Sequence, residues 1–245
     1  MVPERLLQMR EMQRQLNLRT ATELLRLACE RFSPRLTMAT GFGPEGALLI
    51  DLAARSGLRF DIFTLDTGLF FPETYELWRT LERRYDVVIR AVRPQLTVDE
   101  QAERHGSALW ARDPDLCCRL RKVLPLERAL EGFDAWITGV RREQTALRSK
   151  ASSMELDERF GLVKVNPLVE WTGEDVWRYV RDHHVPFNPL HERGYPSIGC
   201  FPCTTPVRPG EDPRGGRWRG REKTECGIHR ENAPLTLPVI QGGER

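Results

Sequence analysis

Three of the chain's six cysteines fall within residues 197–229, which read SIGCFPCTTPVRPGEDPRGGRWRGREKTECGIH. Cys200 and Cys203 form a Cys-x-x-Cys pair, a spacing used by paired metal ligands. Cys226 stands alone in Glu-Cys-Gly-Ile-His. A thiolate there is a strong, soft nucleophile, and Gly227 permits an unusual turn beside it. The segment from Arg208 to Lys223 carries six basic and three acidic residues among its glycines. Its arginines suit a mobile lid that closes on an oxyanion, although a solvated loop has the same composition. A ligand pair, an anion loop and a single thiol in one stretch point to chemistry on an anionic substrate.

A second pair, Cys117-Cys118, follows Asp113-Pro114. Asp113 suits an N-cap and Pro114 a first helical position, so both thiols sit at a helix start. Four thiolates hold either structural zinc or an iron–sulfur cluster. The adjacency of Cys117 and Cys118 favours a cluster, because zinc pairs usually have intervening residues. Arg119, Arg121 and Lys122 follow, and Pro125 is expected to kink or restart the helix.

These groups need a scaffold. Leu36–Ala39 reads as a strand, followed by the turn Thr40-Gly41-Phe42-Gly43-Pro44-Glu45-Gly46 and a helix through Leu52. Such a turn offers backbone N–H groups at a helix N-terminus, which suits phosphate or sulfate. It is neither a Walker A nor a dinucleotide fingerprint. Residues 60–65 form a second strand ending in Asp66 and Thr67, at the edge where open α/β sheets bind ligands. Pro72 opens the next helix, residues 86–92 give a third strand, and Thr97 to Glu100 has capping-box spacing. The strand at Ala135–Thr138 ends in Gly139, Val140, Arg141 and Arg142. Residues 149–160 are polar and read as a loop, 162–165 as a last strand, and Thr172 as the cap of a helix ending near His183 and His184. Two helices, over 4–16 and 21–31, precede all of this. Alternating strands and helices predict an α/β fold, a mostly parallel sheet with helices on both faces.

The net charge of +2 is too small to argue for a nucleic-acid partner. No run is long enough to cross a membrane, and the charged N-terminus MVPERLLQMREMQRQL lacks a signal-peptide core. A cytoplasmic protein is therefore expected, with reduced cysteines acting as ligands or catalysts.

Several motifs together resemble the assimilatory adenylyl-sulfate (APS) and phosphoadenylyl-sulfate (PAPS) reductases, from about Phe32 to His229. They are GFGPEGALLIDL, LDTGLFFPETYEL, CCRLRKVLPL, ITGVRREQTALRS, KVNPLVEWTGEDVWRYV, GCFPCTTPV and KTECGIH. The resemblance implies an adenine-nucleotide α-hydrolase-like (PP-loop-type) fold. It implies reduction of an activated sulfate to sulfite and a nucleoside phosphate, with thioredoxin or glutaredoxin as reductant, in a homo-oligomer. Carried over, the [4Fe–4S] ligands are Cys117, Cys118, Cys200 and Cys203, and the nucleophile is Cys226. Lys122 resembles the lysine the family places between cluster and substrate, and Arg214 and Arg217 fit its Arg-x-x-Arg-Trp pattern. The substrate-binding set is completed by Gly41, Phe42, Gly43, Asp66, Thr67, Gly139, Arg141, Arg142 and His229. The turn departs from the family's commonest form, Ser-Phe-Gly-Ala-Glu-Asp. Residues 1–207 are expected to form the nucleotide-binding and cluster domain, and 208–245 the lid and catalytic tail.

Other readings compete. The four-cysteine set favours APS over PAPS as substrate. A PP-loop ATP pyrophosphatase would carry Ser-Gly-Gly-x-Asp-Ser, which residues 41–46 lack. A non-enzymatic iron–sulfur sensor would not need Cys226 or the arginine lid.

Overall fold

The computed structural model describes residues 20–228. The helix expected over 4–16, His229 and the rest of the tail lie outside them. Helix α1 (Ala21–Phe32) starts at a capping box in which Thr20 and Glu23 satisfy each other's backbone N–H groups. Strand β1 (Leu36–Ala39) leads through the glycine turn into α2 (Pro44–Arg55), with Pro44 in its first turn. Strand β2 (Asp61–Leu65) leads into α3 (Pro72–Tyr85), and β3 (Ile89–Val92) into α4 (Val98–His105), which the Thr97–Glu100 box caps. Asp86 adopts a left-handed conformation as the C-cap of α3, so β3 starts later than the sequence pattern predicts.

A short helix α5 (Leu109–Arg112) is followed by α6 (Pro114–Cys118), where the Asp113 carboxylate accepts from the Leu116 N–H. The helical path then widens into a π-turn, Arg119–Val123, before α7 (Leu124–Leu130). Pro125 has no N–H to offer the Arg121 carbonyl, and the wider turn absorbs the defect without breaking the helix. The turn faces Arg121 inward. Its guanidinium donates to the Thr67 carbonyl at 2.6 Å and to Gln101 Oε1 at 3.1 Å, stapling the thiol-bearing helix to the end of β2.

Strand β4 (Ala135–Ile137) is central, and β5 (Met154–Asp157) pairs antiparallel with β6 (Leu162–Val165). The sheet order is β3-β2-β1-β4-β6-β5, parallel except for β5. The parallel sheet with helices on both faces is as expected. Strand β5 is a correction to the loop expected at 149–160. Its polar residues hide the strand pattern because it is an edge, and Glu155 pairs across it with Lys164 at 2.9 Å. Helix α8 (Gly173–Asp182) is capped by Thr172 and Asp175.

Met38, Ile62 and Ile137 pack beneath Leu48, Leu49, Leu77, Leu81 and Val176, so α1, α2, α3 and α8 cover one face. Phe63, Leu65 and Trp136 pack under Leu126 and Leu130 of α7 on the other. Burial on both faces explains why β4 and β6 read as unbroken apolar or shielded runs. The chain order reverses at β1, between β2 and β4, which makes the carboxyl edge of β1 the topological switch point. No helix among the described residues is long and apolar enough to cross a membrane.

Candidate active site

A cavity of about 250 Å³ opens at that switch point. Its apolar wall includes Ala39, Leu65, Leu126, Trp136 and Ile228. Lys122, Arg148, Arg214 and Arg217 make the rest of the lining basic, and Cys226 lines the same space. A cavity lined by apolar groups, four cations and a thiol fits a nucleoside that carries an anionic group.

The glycine turn contributes Gly41, Gly43 and Gly46 to the lining, and the end of β4 contributes Thr138 and Gly139. Glu45, in the first turn of α2, also faces the cavity. Its carboxylate is held by Arg141 Nε at 2.9 Å and Gln144 Nε2 at 3.0 Å. That negative charge makes the helix N-terminus less hospitable to phosphate than the glycines alone suggest.

The four paired cysteines come together beside the cavity. Cys117, Cys118, Cys200 and Cys203 line one small pocket with Leu69, Trp110, Lys122 and Trp218. All six cysteines are free thiols. Burial pushes the Cys117 thiol up to about 11 and Cys118 up to about 12, and raises Cys203 as well. Among the described residues, no three His, Cys, Asp or Glu converge on a single ion position. Four soft donors around one pocket suit a thiophilic metal centre. Thr67 belongs here: its hydroxyl lies 3.4 Å from Cys200 Sγ.

Residues 214–228 border both sites. Thr204 and Arg217 form an antiparallel bridge, and the Trp218 N–H donates to the Cys203 carbonyl at 3.0 Å. Arg217 lies against the 198–199 backbone, and a Cβ at Gly199 would fall 2.3 Å from its Nη2, so a larger residue there would push the guanidinium aside. Gly227 has φ +86, which lets the chain turn sharply after Cys226. Arg159 donates to the Gly227 carbonyl at 2.7 Å. Burial raises the Cys226 thiol, but Lys122, the Ile228 N–H and Arg217 outweigh it, and the net shift is downward despite Glu225. Lys223 pairs with Asp115 and stacks over Trp218, and Lys122 is the main cation acting on Cys226. Burial works against the Lys122 ammonium, but its sulfur neighbours, Cys226 among them, shift it upward on balance.

Five expected substrate-binding residues do not line the cavity. Phe42 is 2 % exposed and stacks on Trp78 with ring centroids 5.4 Å apart, because its aromatic ring belongs to the core. Asp66 accepts from Tyr75 Oη at 2.8 Å and Arg93 Nε at 3.1 Å, so it fixes the turn after β2. Thr67 serves the thiol pocket. Arg141 braces Glu45, and Arg142 is spent on the Ala151 carbonyl and Glu170. Two residues that the sequence reading left out do line it: Arg148 and Glu225, whose carboxylate Arg148 meets at 3.0 Å. Nε of Arg148 and of Arg217 is buried and finds no hydrogen-bond partner among the described residues. Arg148 lies inside the motif ITGVRREQTALRS and Glu225 inside KTECGIH, but position within a motif does not by itself assign a role.

Residues 35–206 match the family described as the phosphoadenosine phosphosulfate reductase domain. The chain is 50% identical over 210 residues to the adenosine 5'-phosphosulfate reductase of Oceanobacillus iheyensis, covering 85% of this chain and 88% of that protein. It is 45% identical over 210 residues to adenosine 5'-phosphosulfate reductase 2 of Bacillus subtilis, covering 85% and 89%. A crystal structure of phosphoadenylyl-sulfate (PAPS) reductase from Candida auris, in a phosphate complex, superposes with a TM-score of 0.72 at 32% identity, over 80% of this chain and 95% of that one.

Proposed function

The chain belongs to the phosphoadenosine phosphosulfate reductase family, and on that footing we propose that it reduces adenylyl sulfate to sulfite and AMP in assimilatory sulfate reduction. The observation that carries the reading is the presence of Cys226 and four cations on the wall of one nucleotide-sized cavity. The names of the bacterial relatives favour APS, and PAPS is the second reading, favoured by the fungal structure.

The adenosine occupies the apolar wall, and the phosphosulfate lies against Lys122, Arg148, Arg214 and Arg217. The buried, unpartnered Nε donors of Arg148 and Arg217 suit substrate oxygens. The Cys226 thiolate attacks the sulfur of the sulfate–phosphate anhydride. An S–S bond forms to give a cysteine S-sulfonate, the bond from sulfur to the bridging oxygen breaks, and AMP leaves with that electron pair. A dithiol protein of the thioredoxin or glutaredoxin class then attacks Cys226 Sγ. Sulfite departs with the electron pair of the S–S bond, and the second thiol resolves the mixed disulfide and restores Cys226. The dithiol is oxidised and sulfur falls from +6 to +4, so the electrons balance.

Cys117, Cys118, Cys200 and Cys203 would hold a [4Fe–4S] cluster. When bound, it supplies charge and a rigid anchor beside Lys122 rather than electrons. Residues 208–245 act as lid and carrier of the nucleophile, and the free thiols suit a reducing, cytoplasmic setting. The test is sulfite release by anaerobically purified protein from APS and from PAPS with reduced thioredoxin. Turnover of APS with Cys226→Ser inactive supports the reading. A preference for PAPS moves the substrate, and full activity of Cys226→Ser overturns the mechanism.

A further inference from the structure

Two guanidiniums from different segments meet on one buried carboxylate. Glu225 is 2 % exposed. Its Oε2 lies 3.0 Å from Arg148 Nη2 and 3.3 Å from Arg214 Nη2, and the Thr145 hydroxyl is 3.4 Å from Oε1. Arg148 belongs to the body of the fold, in the turn after β4. Arg214 belongs to the loop over the cavity, and it also donates to the Thr224 carbonyl at 2.9 Å. Glu225 precedes Cys226 directly, and all four side chains line the cavity. A carboxylate here is costly on two counts. It must leave water, and it opposes ionisation of the adjacent thiol. Neither cost helps the chemistry, so its use is geometric.

We infer that Glu225 is a positioning residue that couples the nucleophile to the anion clamp. One carboxylate fixes Arg148 and Arg214 in the cavity wall and, through the same bonds, holds the backbone that carries Cys226. This rests on the reading of Cys226 as nucleophile. The connection runs further into the fold: Arg148 donates to Gln144, Gln144 to Glu45 at 3.0 Å, and Arg141 to Glu45 at 2.9 Å. A continuous polar chain thus joins the glycine turn at the start of α2 to the residue before the thiol. On the other side of Cys226, Arg159 holds the Gly227 carbonyl and pairs with Glu127 at 3.4 Å. The thiol is bracketed by two arginines of the body, one reaching each neighbouring residue. Arg148 spends both terminal nitrogens on protein, and its Nε remains for a ligand.

The experiment compares anaerobically purified full chains: wild type, Glu225→Gln, Glu225→Asp, Arg148→Gln and the Glu225→Gln/Arg148→Gln double variant. AMP affinity is measured by calorimetry. The rate of Cys226 S-sulfonate formation at saturating APS, without reductant, is followed by intact mass. Glutamine keeps the shape and removes the charge, so Glu225→Gln should slow adduct formation by about tenfold or more and weaken AMP binding by about threefold or more. Arg148→Gln should do the same, and the double variant should be no worse than the worse single one. Glu225→Asp, which keeps the charge but draws it back, should fall between, at wild-type thermal stability. It carries the test alone if Glu225→Gln does not fold. Losses that add in the double variant, or wild-type rate and affinity in a folded Glu225→Gln or Glu225→Asp protein, overturn the coupling. A wild-type chain that forms no adduct overturns the nucleophile instead.

Discussion

Lys122 borders both the four-thiol pocket and the cavity that Cys226 lines, and its ammonium is the strongest influence lowering the Cys226 thiol. The relationship is reciprocal, because Cys226 is among the groups that keep the buried lysine charged. A thiolate pairs with a cation here just as an incoming sulfonyl group would, so one lysine can serve both partners in turn.

Removing that charge should move the thiol in a known direction. Alkylation of Cys226 by iodoacetamide rises as pH passes through the thiol's pKa, because only the thiolate reacts. In Lys122→Gln, burial and Glu225 still raise the pKa while the main opposing cation is gone. The midpoint of the alkylation profile, read by mass spectrometry of the Cys226 peptide, should shift to higher pH. An unchanged midpoint would mean that lysine and thiol are not coupled.

The thiol pocket makes its own prediction. Protein purified without oxygen should be brown, with about four iron and four sulfide per chain, and Cys118→Ser or Cys200→Ser should lose both. Burial holds Cys117 and Cys118 protonated up to about 11 and about 12, so metal loading must displace their protons. Reconstitution of the apoprotein should therefore weaken as pH falls, and ferrous and sulfide titrations at pH 6.5 and 8.5 would read the difference. Stoichiometric zinc in a colourless protein would refute the assignment.

The basic wall should divide into contacts and braces. Arg148→Ala and Arg217→Ala remove guanidiniums that line the cavity, and each should cost about tenfold or more in kcat/KM, on the order of 1.4 kcal/mol. Arg141 lies outside the cavity lining, and Arg141→Ala removes braces of Glu45, Glu143 and the Trp171 carbonyl and should cost less. Equal losses in steady-state assays with APS would erase the distinction.

What could be read from the sequence depended on how local the cause was. The caps at Asp113, Thr97 and Thr172, the prolines opening α3 and α6, and the cysteine spacings are set by neighbouring residues, and the folded elements follow them. Strand β5 escaped because an edge strand keeps polar residues, and its partner Lys164 lies outside its own stretch. Phe42 carries the turn motif yet serves the core, since only the assembled fold brings Trp78 under its ring. Arg141 and Arg142 sit at the right end of β4, but a strand-end position does not say whether a guanidinium meets a ligand or a neighbour's carboxylate. Arg148 and Glu225 are 77 residues apart in sequence, and nothing local joins them.

Asp51 offers a test of the scaffold apart from the chemistry. Its side chain is fully buried in α2 and accepts from Tyr85 Oη of α3 at 3.0 Å, Tyr179 Oη of α8 at 2.7 Å and Arg55 Nε at 2.8 Å. Three helices on one face of the sheet are tied to one carboxylate. Asp51→Ala strands two hydroxyls and a guanidinium and should destabilise the fold by about 2–4 kcal/mol in urea unfolding. The Cys226 adduct rate well below the melting temperature should be unchanged, because no Asp51 atom lines the cavity. Alkali probes the same knot. Burial and then Asp51 push the Tyr85 hydroxyl up to about 12, above the ordinary tyrosine value of about 10. Its contribution is therefore complete below about pH 10 and lost as pH rises through its folded value. Wild type should lose stability more steeply than Tyr85→Phe between about pH 10 and 12. Parallel slopes in urea titrations across that range would mean that the Tyr85–Asp51 bond contributes nothing to the fold.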